Sequence, residues 1–188
     1  MATQVEPEIA RRRFSVEEFL RMDEAGLFVE NDRLELDGEI VEMHPIGWRH
    51  HRCVTLLTAL LVKAASDDLL VSSQGPVQIG EYGLPQPDFA VIRSDAFDDG
   101  SHPDPAQTLL VIEVSESSLR YDRNVKVPLY ARYGYPEAWI VDLGEEVVER
   151  HSRPSQEGYR QTRRFARGEV VEPTAVPSLR LAVDDFLG

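Results

Sequence analysis

Thiols, lysines and long apolar runs are all scarce in this chain of 188 residues. Cys53 is the only cysteine, which excludes a disulfide framework and a thiolate metal cage and fits the reducing cytoplasm. Only Lys63 and Lys126 are lysines; arginine supplies the other 18 of the 20 basic residues. The longest apolar run, residues 53–62, is interrupted by threonines and is far shorter than a bilayer span, so no membrane association is expected. The opening residues MATQVEPEIARRR lack the apolar core of a signal peptide. Positive charge is in deficit as well: a net charge of -13 excludes a surface that coats nucleic acid broadly.

What is present is enough for a core. A hydrophobic content of 42% over this length suits one α/β domain, placed at residues 14–188 behind a flexible tail, 1–13. The few cations are clustered. Between Arg120 and Arg132 four stand against one acid, and between Arg150 and Arg167 six stand against one. Arg120, Arg123, Arg160, Arg163, Arg164 and Arg167 are therefore candidates for contacting a phosphate backbone, with a merely solvated face as the alternative.

In chain order, Ser15-Val-Glu-Glu18 has the form of a capping box, with Phe14 and Phe19 placed as a hydrophobic staple. It predicts a helix to Ala25, stopped by Gly26. LELDGEIVEM reads as a hairpin about Asp37-Gly38, with Glu35 in its first arm. Residues 48–66 carry a broad apolar stripe through Cys53, Leu57 and Leu61, which predicts a buried helix with His50 and His51 at its start. Val71 to Ile79 alternates as a strand, and residues 87–92 read as another headed by Asp88. Residues 94–107 have no period and read as a loop. Beyond a strand at 109–114, residues 120–133 form an expected helix, stopped by Gly134 and complicated by Pro128. A core strand at 138–142, a hairpin at 147–151 and 159–165, and an apolar patch at Leu179, Leu181, Val183 and Phe186 complete the chain.

Chemistry concentrates in residues 109–133, LLVIEVSESSLRYDRNVKVPLYARY. The first half reads as a strand covered on both faces, yet Glu113 sits in its middle. A carboxylate there loses hydration worth several kcal/mol unless a cation, a metal or several donors replace the water. Lys126 follows, a compact ammonium in a chain that elsewhere prefers the planar fork of arginine. An ordinary salt-bridge network in the sheet accounts for the same residues more blandly. Solvent exposure is likewise the common explanation for His50, His51 and a hairpin glutamate such as Glu35.

The order helix, strand, strand, strand, helix, strand, with Asp88 and Glu113 on adjacent strands and Lys126 just beyond, resembles the core of the PD-(D/E)XK nuclease superfamily. Through ELDGEIVEM, PQPDFAVI and LLVIEVSESSLRYDRNVKVPLYARYGYPEAWIVDL the chain is similar, more closely, to the Uma-two family of restriction-endonuclease-like proteins, over roughly residues 14–159. The resemblance implies an α/β restriction-endonuclease-like core, a mixed sheet flanked by helices, with an N-terminal helix and hairpin and a C-terminal β extension. It makes Asp88 and Glu113 metal-binding acids and Lys126 the catalytic lysine. The superfamily's lysine normally lies two residues after the glutamate, where this chain has Ser115, so the ammonium comes from the helix instead. Mg2+ or Mn2+ would take oxygens from both carboxylates and the backbone carbonyl of Val114 and keep water for the rest. Glu35, His50, Ser115, Asp122 and Tyr130 are supporting candidates. The implied activity is Mg2+-dependent hydrolysis of DNA phosphodiesters by a homodimer. A noncatalytic DNA-binding or regulatory module, and a nuclease acting on RNA or branched DNA, use the same residues and stay open.

Overall fold

The structure, a computed structural model, describes residues 12–29, 34–43, 46–98 and 100–187. The expected tail lies outside them except for Arg12, which pairs with Glu18, and Arg13, whose guanidinium lies 4.8 Å from the Tyr82 ring centroid. Helix α1 (Val16–Glu24) starts at the expected capping box: the Ser15 hydroxyl accepts from the Glu18 N–H, and the Glu18 carboxylate accepts from the Ser15 N–H. Strands β1 (Leu34–Asp37) and β2 (Ile40–Glu42) form the hairpin, Leu36 and Ile40 being its innermost pair. Gly38 sits in the reversal at φ +70°, which glycine alone adopts without strain.

Helix α2 (Trp48–Ala64) follows and leads to β3 (Leu69–Ser73). The strand expected over 71–79 ends there. Gln74 turns to φ +53°, and Pro76 two residues on has no N–H for a ladder. Val77 and Ile79 are buried all the same, in irregular chain that packs under the sheet. The alternation thus marked burial rather than pairing.

Next come β4 (Gly83–Leu84), which pairs with β1, then β5 (Phe89–Arg93) and β6 (Thr108–Ser115). The crossover at 119–132 is helical throughout, as α3 (Leu119–Tyr121), a π-helical turn (Asp122–Lys126) and α4 (Val127–Arg132). Strands β7 (Glu137–Asp142), β8 (Val147–Ser152) and β9 (Gln161–Phe165) complete a six-stranded sheet of order β3-β5-β6-β7-β8-β9. Its one parallel pair among the described strands is β6 with β7, the pair that a crossover must join. The chain closes with β10 (Val170–Val171), β11 (Leu181–Ala182) and α5 (Asp184–Leu187).

Alternation along the central strands sorts two cores. Ile112, Val114 and Trp139 face α2 and the C-terminal patch, with Leu57 and Leu61 fully buried. Val111, Ala138 and Ile140 face α4 through Val127 and Tyr130. A third, smaller core joins α1 to the β2-β1-β4 sheet through Phe19, Leu36 and Leu84. The result is the mixed α/β architecture expected, a mixed sheet flanked by helices.

Candidate active site

Glu113 shares the face of Val111, so its carboxylate points to the crossover helix. The antiparallel register pairs Phe89 with Ile112; continued by one residue, it sets Asp88 opposite Glu113 on the same face. Asp88 Oδ2 accepts from the Val114 N–H at 2.7 Å and lies 3.1 Å from His50 Nε2. Continued once more, the register sets Pro87 opposite Val114. Proline has no N–H to give, so the Val114 carbonyl lacks its ladder donor beside the Asp88 carboxylate.

The crossover supplies the remaining groups. Lys126 Nζ is 2.8 Å from Glu35 Oε1, 3.3 Å from the Glu113 carboxylate and 3.5 Å from the Gln86 carbonyl. The Tyr130 hydroxyl donates to Glu113 Oε1 at 2.7 Å. Asp122 Oδ2 accepts from the hydroxyls of Ser115 (2.7 Å) and Ser118 (2.6 Å). Asp122, Lys126 and Tyr130 reach one face because the chain passes through the π turn. Over eight residues a straight α-helix drifts about 80°; one extra residue taken up in a wide turn brings the drift back to about -20°. The turn also moves the Asn124 carbonyl, which the Pro128 ring would strike in an α-helix.

Charge is unevenly shared here. Glu35, Asp88, Glu113 and Asp122 surround one ammonium, and all five residues are buried. Burial pushes the Glu113 carboxyl well above the usual range; Lys126 opposes this, while Asp122, Asp88 and Glu35 add to it. Glu35 and Asp122 are also raised, by burial first and against the pull of Lys126. For Lys126, burial favours the neutral amine, but Glu113, Glu35 and Asp122 outweigh it and hold the ammonium charged. Burial likewise keeps the Tyr130 hydroxyl protonated, a donor.

These groups open on a cleft of about 310 Å3 between β2, the start of α2 and the end of β6. Its donor set fits a hard divalent ion. Both bonds to Asp88 fall on Oδ2, leaving Oδ1, and a carbonyl without its ladder partner stands alongside. Among the described residues no three His, Cys, Asp or Glu side chains gather as a cage. An ion of the Mg2+ kind would rest on Asp88, Glu113 and the Val114 carbonyl and keep water in its other positions.

Asp88, Glu113, Lys126, Val114, Glu35, His50, Ser115, Asp122 and Tyr130 are all brought together. The arginines are not. Arg123 is held by Glu149 at 3.0 Å and Asp142 at 3.4 Å. Arg163 meets Glu169, Arg164 meets Glu145 and Glu149, and Arg167 meets Glu146 and Asp184. β9 stands three strands from β6, about 14 Å, so Arg163, Arg164 and Arg167, candidates for contacting a phosphate backbone, form a row of ion pairs away from the cleft. Arg160 is exposed just before β9; Arg120, also exposed, adjoins the cleft-lining Tyr121. Sequence reasoning missed Gln86, whose N–H donates to Glu35 and whose carbonyl faces Lys126. The signal was its two flanking prolines, which end the ladder there. It also missed Arg49, bonded to the Leu143 carbonyl and Glu116 at the cleft rim.

The comparison with curated proteins gives no match. A solved structure described as "a putative nuclease belonging to DUF820", from Anabaena variabilis, superposes with a TM-score of 0.71 over 93% of this chain and 97% of that one. At 16% identity the likeness is one of fold. The sequence model of the Uma2 family, described as "Putative restriction endonuclease", matches residues 16–184. With nearly the whole domain matched, the chain belongs to the Uma2 family.

Proposed function

We propose that this protein is a divalent-metal-dependent endonuclease that hydrolyses DNA phosphodiesters, with Mg2+ or Mn2+ held by Asp88, Glu113 and the Val114 carbonyl. One observation carries the reading: two carboxylates from adjacent strands meet beside a donorless carbonyl, with a charged lysine 3.3 Å from one of them. Four acids around one ammonium leave negative charge that a bound cation would offset. The family and fold described above support a nuclease.

The chemistry such an ion supplies is a water ionised near neutral pH and positive charge for the phosphoryl and leaving oxygens. The chain's own groups set the frame. Glu35 and Glu113 keep Lys126 protonated and fixed, so its charge adds to the field at the scissile phosphate. Tyr130 holds Glu113 in its rotamer, and Ser115 and Ser118 hold Asp122. His50 and the Val114 N–H orient Asp88. DNA is the substrate proposed, and a homodimer the proposed assembly.

The test is purified protein with plasmid, single-stranded DNA and RNA, each in Mg2+, Mn2+ or EDTA. Cleavage of a DNA substrate should need the ion and disappear in Asp88→Ala and Glu113→Ala. Lys126→Met should leave Mn2+ affinity within a few fold, since it removes no ligand, while turnover falls by about two orders of magnitude. Cleavage that survives in both acid variants, or in EDTA, sinks the reading; RNA cut in preference to DNA would replace the substrate.

A further inference from the structure

A second cavity, of about 620 Å3, opens at the N-terminal end of β7 beside the foot of β8. It lies at the other end of the sheet from the cleft and on the other face, because Glu137 and Arg150 share the side of Trp139, which packs toward α2. Arg150 and Arg153 stand in its wall. In a chain of 33 acids and 20 basic residues, Arg49, Arg123, Arg163, Arg164, Arg167 and Arg180 each have a carboxylate within ion-pair distance. Among the described residues Arg150 and Arg153 have none; Arg93, Arg120, Arg132 and Arg160 have none either, but Arg150 and Arg153 share one cavity.

Their geometry is more specific than their charge. The Arg150 guanidinium is fixed over the Phe165 ring, 5.3 Å from its centroid, and donates from Nη1 to the Glu172 carbonyl at 2.8 Å. That leaves Nη2 without a hydrogen-bond partner and open to solvent, a charged donor for a phosphate oxygen, whereas Nε is shut off by its neighbours. Arg153 is held at φ +61° directly before Pro154, where the proline ring presses the backbone toward extended conformations. Glu137, the acid in this wall, is already engaged: its oxygens accept from Trp139 Nε1 at 2.6 Å and the Thr174 N–H at 3.0 Å. Pro136, Pro154 and Ala175 make the wall partly apolar, and the volume is of small-ligand size.

We infer that this cavity binds a phosphate group, free or as the monoester of a nucleotide-sized ligand, through the guanidinium groups of Arg150 and Arg153. The site stands apart from the cleft and does not rest on the nuclease reading.

Calorimetric titrations of the full chain in EDTA with inorganic phosphate, thymidine 5′-monophosphate and thymidine test it at constant ionic strength. Saturable binding of the phosphate-bearing probes, and not of thymidine, is expected. Arg150→Lys keeps the charge and loses the guanidinium stacked on Phe165, and Arg153→Ala alters an exposed side chain; each should weaken binding about tenfold or more, the scale of one charge-assisted hydrogen bond. Asp88→Ala should leave it unchanged. Nucleotide bound more tightly than phosphate identifies a monoester as the ligand, and equal affinities identify the free anion. Thymidine binding as well as its monophosphate, binding lost in Asp88→Ala, or no saturable binding of either phosphate probe overturns the inference.

Discussion

His50 shows how one side chain divides its duties. Nε2 lies 3.1 Å from Asp88 Oδ2, while Nδ1 is buried without a partner. A hydrogen bond to a ligand carboxylate fixes its rotamer, and losing such a group typically costs tenfold to a hundredfold in metal affinity. His50→Ala should therefore weaken Mn2+ binding by roughly that factor, measured calorimetrically without substrate. His50→Gln, whose amide nitrogen stands near the Nε2 position, should recover most of it. Equal affinities in all three proteins would mean that Asp88 is held by the Val114 N–H alone. At this scale Glu113 was legible as a charge in the middle of an apolar run, and Asp88 took its weight from the neighbouring strand that carries Glu113. Glu35 was legible only as a supporting candidate, because a hairpin glutamate is ordinarily solvated and its partner, Lys126, lies 91 residues away. His50 carried no stronger mark than its place at the start of a helix.

Among the elements, the crossover helix decides the site. Its π turn places Asp122, Lys126 and Tyr130 in line, and Asn124, exposed and bonded through its side chain to the Arg120 carbonyl, is the middle residue of that turn. Deleting Asn124 returns the run to α-helical pitch with nearly the same stripe, but then Pro128 falls in a helix interior, at a cost of about 3 kcal/mol. Deletion combined with Pro128→Ala should therefore melt well above the deletion alone and close to the wild type. Circular dichroism melts of the three proteins check this; a double variant no more stable than the single one would show that the bulge is held by something other than proline and phase. The sequence announced Pro128 as a complication but not its resolution, since an extra residue in a helix leaves no periodic signature once it has restored the stripe. The early end of β3 was hidden for a related reason: Val77 and Ile79 are buried at strand-like spacing by a chain that is not a strand.

Across the whole molecule, the arginine-rich hairpin illustrates what one-dimensional charge counting omits. Of the six cations that stand against one acid within 150–167, three are paired once Glu145, Glu146, Glu169 and Asp184 fold onto Arg163, Arg164 and Arg167. Pairs made between loops are invisible to a window on the sequence. The order of the central elements, by contrast, was legible, because β5, β6 and β7 are apolar runs bounded by turn residues, whereas β4, β10, β11 and α5 are too short to carry a period.

Lys126 also dates the completion of the site. Its contact with Glu113 closes 13 residues of chain, and its contact with Glu35 closes 91, a difference of roughly 2 kcal/mol in loop-closure entropy. We expect the lysine to meet Glu113 as the crossover forms and to reach Glu35 only when the N-terminal hairpin docks. Glu35→Gln should raise the unfolding rate about tenfold and leave the refolding rate within a factor of two, as expected of a contact absent from the transition state. Stopped-flow urea jumps measure both limbs, and a refolding rate slowed as much as unfolding is accelerated would place the hairpin in the nucleus. If the two rates respond in this way, the lysine stays half-neutralised until the hairpin docks, and the site gathers its charges late in folding.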